Sequence, residues 1–240
     1  MKDAKEIIVR AIILLCVSDR CALEKSIIGG INYSKKQRED QRLAIYRWLK
    51  NRRYVDMMTK SEKLLFEQEL GIRNKNEILF FQLQYEAIEP CLWTLGLVQN
   101  LSNYDKFVLT DFHSVLQIDM NHTLEKVLSI VNLRSETDIK LQKEISMLWH
   151  WRAIEYNNPI FKVKSVKDMV KEIFGDTYEQ VLENIPQFDN NKNDFIVNGK
   201  PFINLSIKEK KIINCIAQWR HHAFEWIVGN ESWDKVEINT

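Results

Sequence analysis

The sequence predicts an all-α, mainly helical fold with one small β-hairpin near residues 195–203. Three observations carry that expectation. The 240 residues include only 7 Gly and 4 Pro against 7 Trp and 11 Phe; scarce breakers and plentiful large rings favour long packed helices over a turn-rich sandwich. A hydroxyl residue followed three positions later by an acid recurs ahead of apolar runs, at Thr59/Glu62, Ser102/Asp105, Ser135/Asp138, Ser165/Asp168 and Ser206/Glu209. In such a capping box the hydroxyl and the carboxylate satisfy the first free N–H groups of a helix. Strand signals are confined to one place, around Asn198-Gly199, the dipeptide suited to a two-residue type I′ turn.

A first helix over about residues 5–25 puts Ile7, Ile8, Ala11, Leu14 and Leu15 on one face, and Ile28-Gly29-Gly30 stops it. The run Ala11 to Val17 follows Lys2, Lys5 and Arg10, which resembles a signal peptide in outline. Asp3 and Glu6 interrupt the basic region, however, and Asp19 and Arg20 follow a short apolar run, so a packed helix is expected. No stretch approaches the roughly 20 apolar residues that span a bilayer. A second helix over about 35–51 carries Leu43, Tyr46, Trp48 and Leu49 among many cations. Thr59 opens a short helix through Leu70, closed by Gly71.

Residues 76–98 read as a long central helix, apolar nearly all round and so contacted on several sides. Pro90 cannot donate to the carbonyl of residue 86, which predicts a kink and a freed acceptor there. Ser102 predicts a helix toward Leu116. Ser135 predicts a long helix over about 135–157, burying Leu141, Ile145, Leu148, Trp149, Arg152 and Tyr156 on one face until Asn157-Asn158-Pro159 ends it. Ser165 opens a helix ending near Gly175. Phe195-Ile196-Val197 and Lys200-Pro201-Phe202-Ile203 are the hairpin strands, with Pro201 confining the second to an edge. The last helix runs over about 207–228, from Ser206 to the stop at Gly229. No internal repeat or low-complexity linker divides the chain, so a single helical domain over residues 1–240 is expected.

A net charge of +1, with 45% hydrophobic and 28% charged residues, describes an ordinary globular chain, without the global field that would select nucleic acid or a membrane. Cys16, Cys21, Cys91 and Cys215 form no C-x-x-C pair and lie in helical segments. They read as reduced, mostly buried thiols of a cytoplasmic protein.

The chemistry-bearing exception on the central segment is Glu86, which shares a stripe with Leu79, Leu83, Trp93 and Leu97. A desolvated carboxylate there must find a cation or donors, or stay protonated. Arg152, beside Trp149, and Arg220, on the stripe of Ile213, Ile216, Ala217, Phe224 and Ile227, are placed to answer it, and the planar guanidinium fork suits buried pairing. Glu86 is therefore expected to pair with Arg220 or Arg152. Trp149, Trp151, Trp219, Trp226 and Trp233, the last folding back beyond Gly229, are expected to surround these charges.

Five ordered segments carry a family resemblance. They are Tyr85-Glu86-Ala87 running into Cys91-Leu92-Trp93-Thr94-Leu95-Gly96; Leu133-Arg134-Ser135; Trp149-His150-Trp151-Arg152; Asn198-Gly199-Lys200-Pro201-Phe202; and Trp219-Arg220-His221-His222-Ala223-Phe224-Glu225-Trp226 with Trp233-Asp234-Lys235-Val236 and Asn239-Thr240. In this order they resemble the bacterial family called domain of unknown function 4272, over roughly residues 5–240. The resemblance implies a helical single domain and brings no activity with it. Relatives typically carry an acid before the arginine of the last helix and Asp-Thr at the end; here Trp219 and Asn239 stand there.

His221 and Glu225 are four apart and face the same way on a helix, while His221 and His222 point about 100° apart. No H-E-x-x-H, paired cysteines, aspartate-rich loop, glycine-rich phosphate loop or G-x-S-x-G elbow occurs, so neither a metal nor a cofactor is expected. The cationic segment 35–53 holds Lys35, Lys36, Arg38, Arg42, Arg47, Lys50, Arg52 and Arg53 against Glu39 and Asp40, with Tyr46, Trp48 and Tyr54 interleaved. Its Arg42, Arg47, Lys50, Arg52 and Arg53 suit an acidic protein partner. The resulting expectation is a protein-interaction or regulatory role without catalysis. A first alternative is a small-molecule protein or enzyme with a pocket around Glu86, His150 and Arg220, joined by Arg152 and His222. A second is nucleic-acid binding through 35–53, with rings stacking on bases.

Overall fold

The computed structural model describes residues 1–118, 122–155 and 165–238. Its axis is α1 (Ala4–Ala22), started by a capping box of Asp3 and Glu6. The apolar periodicity of this segment predicted one buried face, yet every residue from Ile7 to Val17 is buried. Five later helices pack around it: α2 (Lys35–Asn51), α3 (Lys60–Glu67), α4 (Lys75–Leu83), α5 (Ile88–Thr94) and α7 (Leu124–Leu128), with α6 (Phe112–Val115) preceding the last of these. Burial on all sides extends to two arginines of α1. Arg10 donates to Glu62 at 2.8 Å and to the Met57 carbonyl at 2.7 Å, and Arg20 donates to the Leu65 carbonyl at 3.1 Å and to Glu24 at 2.8 Å.

The glycine pair expected only to stop the first helix instead turns a second hairpin. Strands β1 (Ile27–Ile28) and β2 (Ile31–Asn32) pair antiparallel across Gly29 and Gly30, whose φ values are 57° and 81°. Both turn positions of a type I′ hairpin need positive φ, which glycine adopts without steric cost.

The expected long helix over 76–98 is two helices joined by a 3-10 turn at Gln84–Ala87. The interruption includes residue 86, where a kink was expected because Pro90 cannot donate to its carbonyl, and Pro90 itself is the third residue of α5. The apolar surround is also confined to the second half: Leu79 and Phe80 are exposed, whereas residues 86–95 are buried throughout.

The helix expected from Ser102 toward Leu116 is reduced to α6, capped by Asp111. Ser102 cannot cap because Glu89 takes both its hydroxyl, at 2.6 Å, and its N–H, at 3.0 Å. Gly96 ends the α5 segment with φ 72°, and a Cβ there would collide with the Asn132 carbonyl oxygen. The chain at Asn132 and Arg134 donates back to Leu95 and Thr94, so glycine at 96 is required by both conformation and approach.

The long helix α8 (Glu136–Glu155) begins at Ser135 as expected; Tyr156 and the Asn157-Asn158-Pro159 stop lie outside the described residues. Ser165 and Asp168 box the start of α9 (Val166–Phe174), which ends at Gly175, and α10 (Tyr178–Asn184) follows. Strands β3 (Phe188–Asp189), β4 (Asp194–Val197) and β5 (Lys200–Pro201) form a small antiparallel sheet in that order, with Ile196 opposite Pro201 and Val197 opposite Lys200. Asn198 and Gly199 turn the β4–β5 hairpin at φ 50° and 75°. β5 is the edge, as Pro201 requires, but the strand stops there and Phe202–Asn204 is a 3-10 turn. Last, α11 (Ile207–Val228) starts from the Ser206/Glu209 box and stops at Gly229. The protein is thus mainly helical with two small hairpin sheets among the described residues, and no described helix is long and apolar enough to cross a membrane.

Two apolar cores share α11. Its later residues Trp219, Phe224, Trp226 and Ile227 pack with α1 and α5, and its earlier residues Ile213, Ile216 and Ala217 pack with Ile145, Leu148 and Trp149 of α8 and Phe195 of β4. The tryptophans accordingly divide. Trp149 lies in the second core, while Trp219, Trp226 and Trp233 lie in the first, with Trp233 folded back against Trp226 at 5.5 Å between ring centroids.

Candidate functional site

Glu86 meets Arg220. The guanidinium donates from Nη2 at 2.9 Å and from Nε at 3.2 Å to Oε2, while Oε1 accepts the Val108 N–H at 2.8 Å. Arg220 also donates to the Ser102 and Asn103 carbonyls and lies 3.6 Å from Glu89. Arg220, Glu86 and Glu89 are all essentially shut off from solvent. Burial pushes the Glu86 carboxyl above its ordinary value, and Arg220 and the Val108 N–H pull it back. The local cause of this geometry is the 3-10 turn, which directs Glu86 inward, and the α5 start, which places Glu89 three residues later beside it.

Arg152 goes elsewhere. It grips Asp194, the first residue of β4, through two parallel bonds of 2.9 Å. Asp194 in turn accepts the N–H groups of Phe195 and Ile203 at 2.9 and 3.0 Å, so this pair ties the hairpin to α8. Beside it Trp149 is stacked between Tyr104, at 4.7 Å, and Phe195, at 3.9 Å, and the Arg220 guanidinium lies 4.8 Å over the Tyr104 ring.

His150 belongs to a third network. Its Nδ1 lies 3.1 Å from Nδ1 of His221, whose Nε2 lies 3.3 Å from Glu225, itself 3.2 Å from Lys143. An Nδ1–Nδ1 contact needs one donor and one acceptor. The Glu225 carboxylate accepts from a protonated Nε2 of His221, and the two Nδ1 atoms hold one proton between them. Burial, with His221 second, presses the His150 pKa down to about 4. The expected pocket of Glu86, His150 and Arg220 is therefore divided between two networks whose members bond to one another. His222 faces another direction, against the rings of Trp219, at 5.3 Å, and Trp233, at 4.4 Å.

The cationic segment also divides. Arg42 is buried, bonded to Glu39 at 2.6 Å and to the Phe66 carbonyl, so it does not face a partner as expected. Arg52 lies 4.2 Å over the Trp48 ring and donates to the His122 carbonyl at 3.3 Å, and Lys50 lies 4.1 Å over Tyr46. Tyr46 and Tyr54 are buried, so they present no open face to a base. Lys35, Lys36, Arg47, Lys50 and Arg53 remain exposed.

Burial raises the thiol pKa of all four cysteines, with Cys21 and Cys91 pushed up to about 12, so none is an activated nucleophile. Among the described residues no three His, Cys, Asp or Glu side chains gather as metal ligands. Sequence reading missed Glu89, Ser102, Asp194 and the Arg10–Glu62 pair. Arg10 carried a usable signal, since it stands inside a run of apolar residues on a helix, as Glu86 does. Asp194 carried almost none, because it follows the polar run Asp189 to Asn193, where an acid reads as a solvated loop residue.

The profile of the family described as Domain of unknown function (DUF4272) matches residues 1–160. The chain belongs to that family. The match covers the Glu86 and Arg152 segments and ends before the hairpin and α11, which the wider resemblance over residues 5–240 had included. No curated protein and no solved structure matches the chain.

Proposed function

We propose that this member of the DUF4272 family is a cytoplasmic bacterial protein-interaction or regulatory protein, without catalytic activity, that engages an acidic protein partner. The observation that carries the reading is the exposed face of α2 and the residues just after it. Lys35, Lys36, Arg47, Lys50 and Arg53 face solvent, Asp40 is the exposed acid within residues 35–53, and Leu43 is exposed among them. Positive charge around an apolar contact complements an acidic surface and steers its approach. Folding sharpens this balance by drawing Glu39 inward, onto Arg42 and the Leu70 N–H.

The central charges support the same reading. Glu86, Arg152 and Arg220 direct their hydrogen bonds to protein groups, which is the arrangement of structural ion pairs. The four free thiols support a reducing compartment. For nucleic acid the same face offers cations, but its tyrosines are turned inward, which weighs against base stacking.

The test is charge reversal of Arg47, Lys50 and Arg53 to Glu, followed by capture of partners from the native cell at low and moderate salt. The expected result is an acidic protein held by the wild type at low salt, released as salt rises, and lost from the variant while thermal unfolding is unchanged. Retention insensitive to both salt and substitution would refute the reading. Salt-sensitive binding of mixed DNA or RNA by the wild type alone would reassign the face to nucleic acid.

A further inference from the structure

Away from the cationic face, the start of α3, the end of α4 with its 3-10 turn, the middle of α11 and the chain after Gly229 enclose a cavity of about 310 Å³. That lies at the lower end of the range for small-molecule pockets. Its apolar wall is an arc of rings: Phe80 meets Trp219 edge-on at 5.2 Å, Trp219 meets His222 at 5.3 Å, and His222 meets Trp233 at 4.4 Å.

The polar groups of the cavity share one character. Gln84 is buried, and its Oε1 has no hydrogen-bond partner among the described residues; neither has Nδ1 of His222. Burial first, then Arg10 and His221, press the His222 pKa down to about 4, against a smaller upward pull from the Trp233 backbone. In the neutral ring one nitrogen bears a proton and the other a lone pair, so Nδ1 in either form is a second unpaired polar atom of this wall. A buried acceptor and a buried ring nitrogen therefore stand without partners, a costly state in a folded protein. The carboxylates of Glu62 and Asp234 also line the cavity, and no Lys or Arg does. Glu62 is neutralised by Arg10 at 2.8 Å, which leaves Asp234, bonded to the Ser232 hydroxyl at 2.9 Å, as the carboxylate of the lining without a cation among the described residues.

We propose that this cavity is a binding site for a small protonated amine with an aromatic or apolar body. An ammonium group supplies the donor that the Gln84 oxygen lacks and the positive charge that Asp234 lacks. The rings of Phe80, Trp219 and Trp233 take the carbon body; the Arg10 guanidinium already lies 5.0 Å over the Trp233 ring, so the ammonium is directed to Gln84 and Asp234. An anion meets the Asp234 carboxylate there, and a neutral alcohol can give Gln84 one donor but brings no charge for Asp234.

The probe set is 2-phenylethylamine, 2-phenylethanol and phenylacetate, nearly equal in shape and differing in charge. Binding is read by calorimetry and by the fluorescence of the wall tryptophans. The amine is expected to bind about tenfold or more tighter than the alcohol, with the carboxylate weakest. Gln84→Leu is expected to weaken amine binding about tenfold, and Asp234→Asn, at an exposed position that leaves folding intact, about threefold or more. Equal binding of the three compounds would overturn the proposal. So would amine affinity untouched by Asp234→Asn, or no amine binding at millimolar concentration.

Discussion

Replacing Arg220 by Met tests whether the buried charges hold the fold together. Arg220 is wholly buried, gives two bonds to Glu86, and lies 3.6 Å from Glu89. Met keeps much of the apolar stem but leaves two carboxyls without their cation. Removing one partner of a buried pair costs about 3–5 kcal/mol, which for a chain of this size lowers Tm by on the order of 6–20 °C. In the variant the Glu86 carboxyl, already raised by burial, loses the downward pull of Arg220, so its folded pKa lies above its unfolded one. The folded state then binds protons more tightly than the unfolded chain, so the deficit is largest at neutral pH and shrinks as pH falls toward about 5. Glu86→Gln added to Arg220→Met should recover part of the loss, with a coupling of about 1–3 kcal/mol. Urea unfolding followed by circular dichroism and tryptophan fluorescence measures all four corners of the cycle. A loss below about 1 kcal/mol at pH 7, or simple additivity, would refute the pairing argument.

Two further perturbations follow from the same geometry. His150 and His222 have folded pKa values of about 4 against an ordinary 6.5, so between those values the unfolded chain holds more protons. Stability is therefore complete above pH 6.5 and falls as pH drops toward 4, by up to about 3 kcal/mol for each ring; a His150→Phe, His222→Phe double variant should flatten the acid limb of a stability–pH curve. Gly96→Ala combines positive φ with a collision at the Asn132 carbonyl and should cost more than about 1 kcal/mol in urea unfolding; an unchanged midpoint would show that the Leu95–Asn132 contact yields.

The readings that succeeded rest on chemistry acting over three or four residues. Capping at Thr59, Ser165 and Ser206, the Asn198-Gly199 turn and the edge position of Pro201 all follow from neighbours in the chain. Ser102 shows where that logic ends. Its hydroxyl is a good cap in isolation, but Glu89, thirteen residues earlier, claims it in the folded chain. The first helix shows the same limit, because periodicity revealed one apolar face and said nothing of how many neighbours would cover the others.

The Glu86 stripe shows the boundary between the two levels. Residue types alone established that a carboxylate among apolar neighbours must have a cation, and they narrowed the choice to two arginines. Which arginine answers was decided by packing: α11 carries Arg220 across the 3-10 turn, while Asp194 draws Arg152 to the hairpin. The amine cavity lies wholly on the tertiary side, since its rings and unpaired polar atoms come from four separated segments. By itself the sequence determined helices, turns and the need for buried partners, because those free energies are local or depend on residue type. Tertiary structure alone chose the partners and opened the cavity, because distances between remote side chains exist only once the helices have packed.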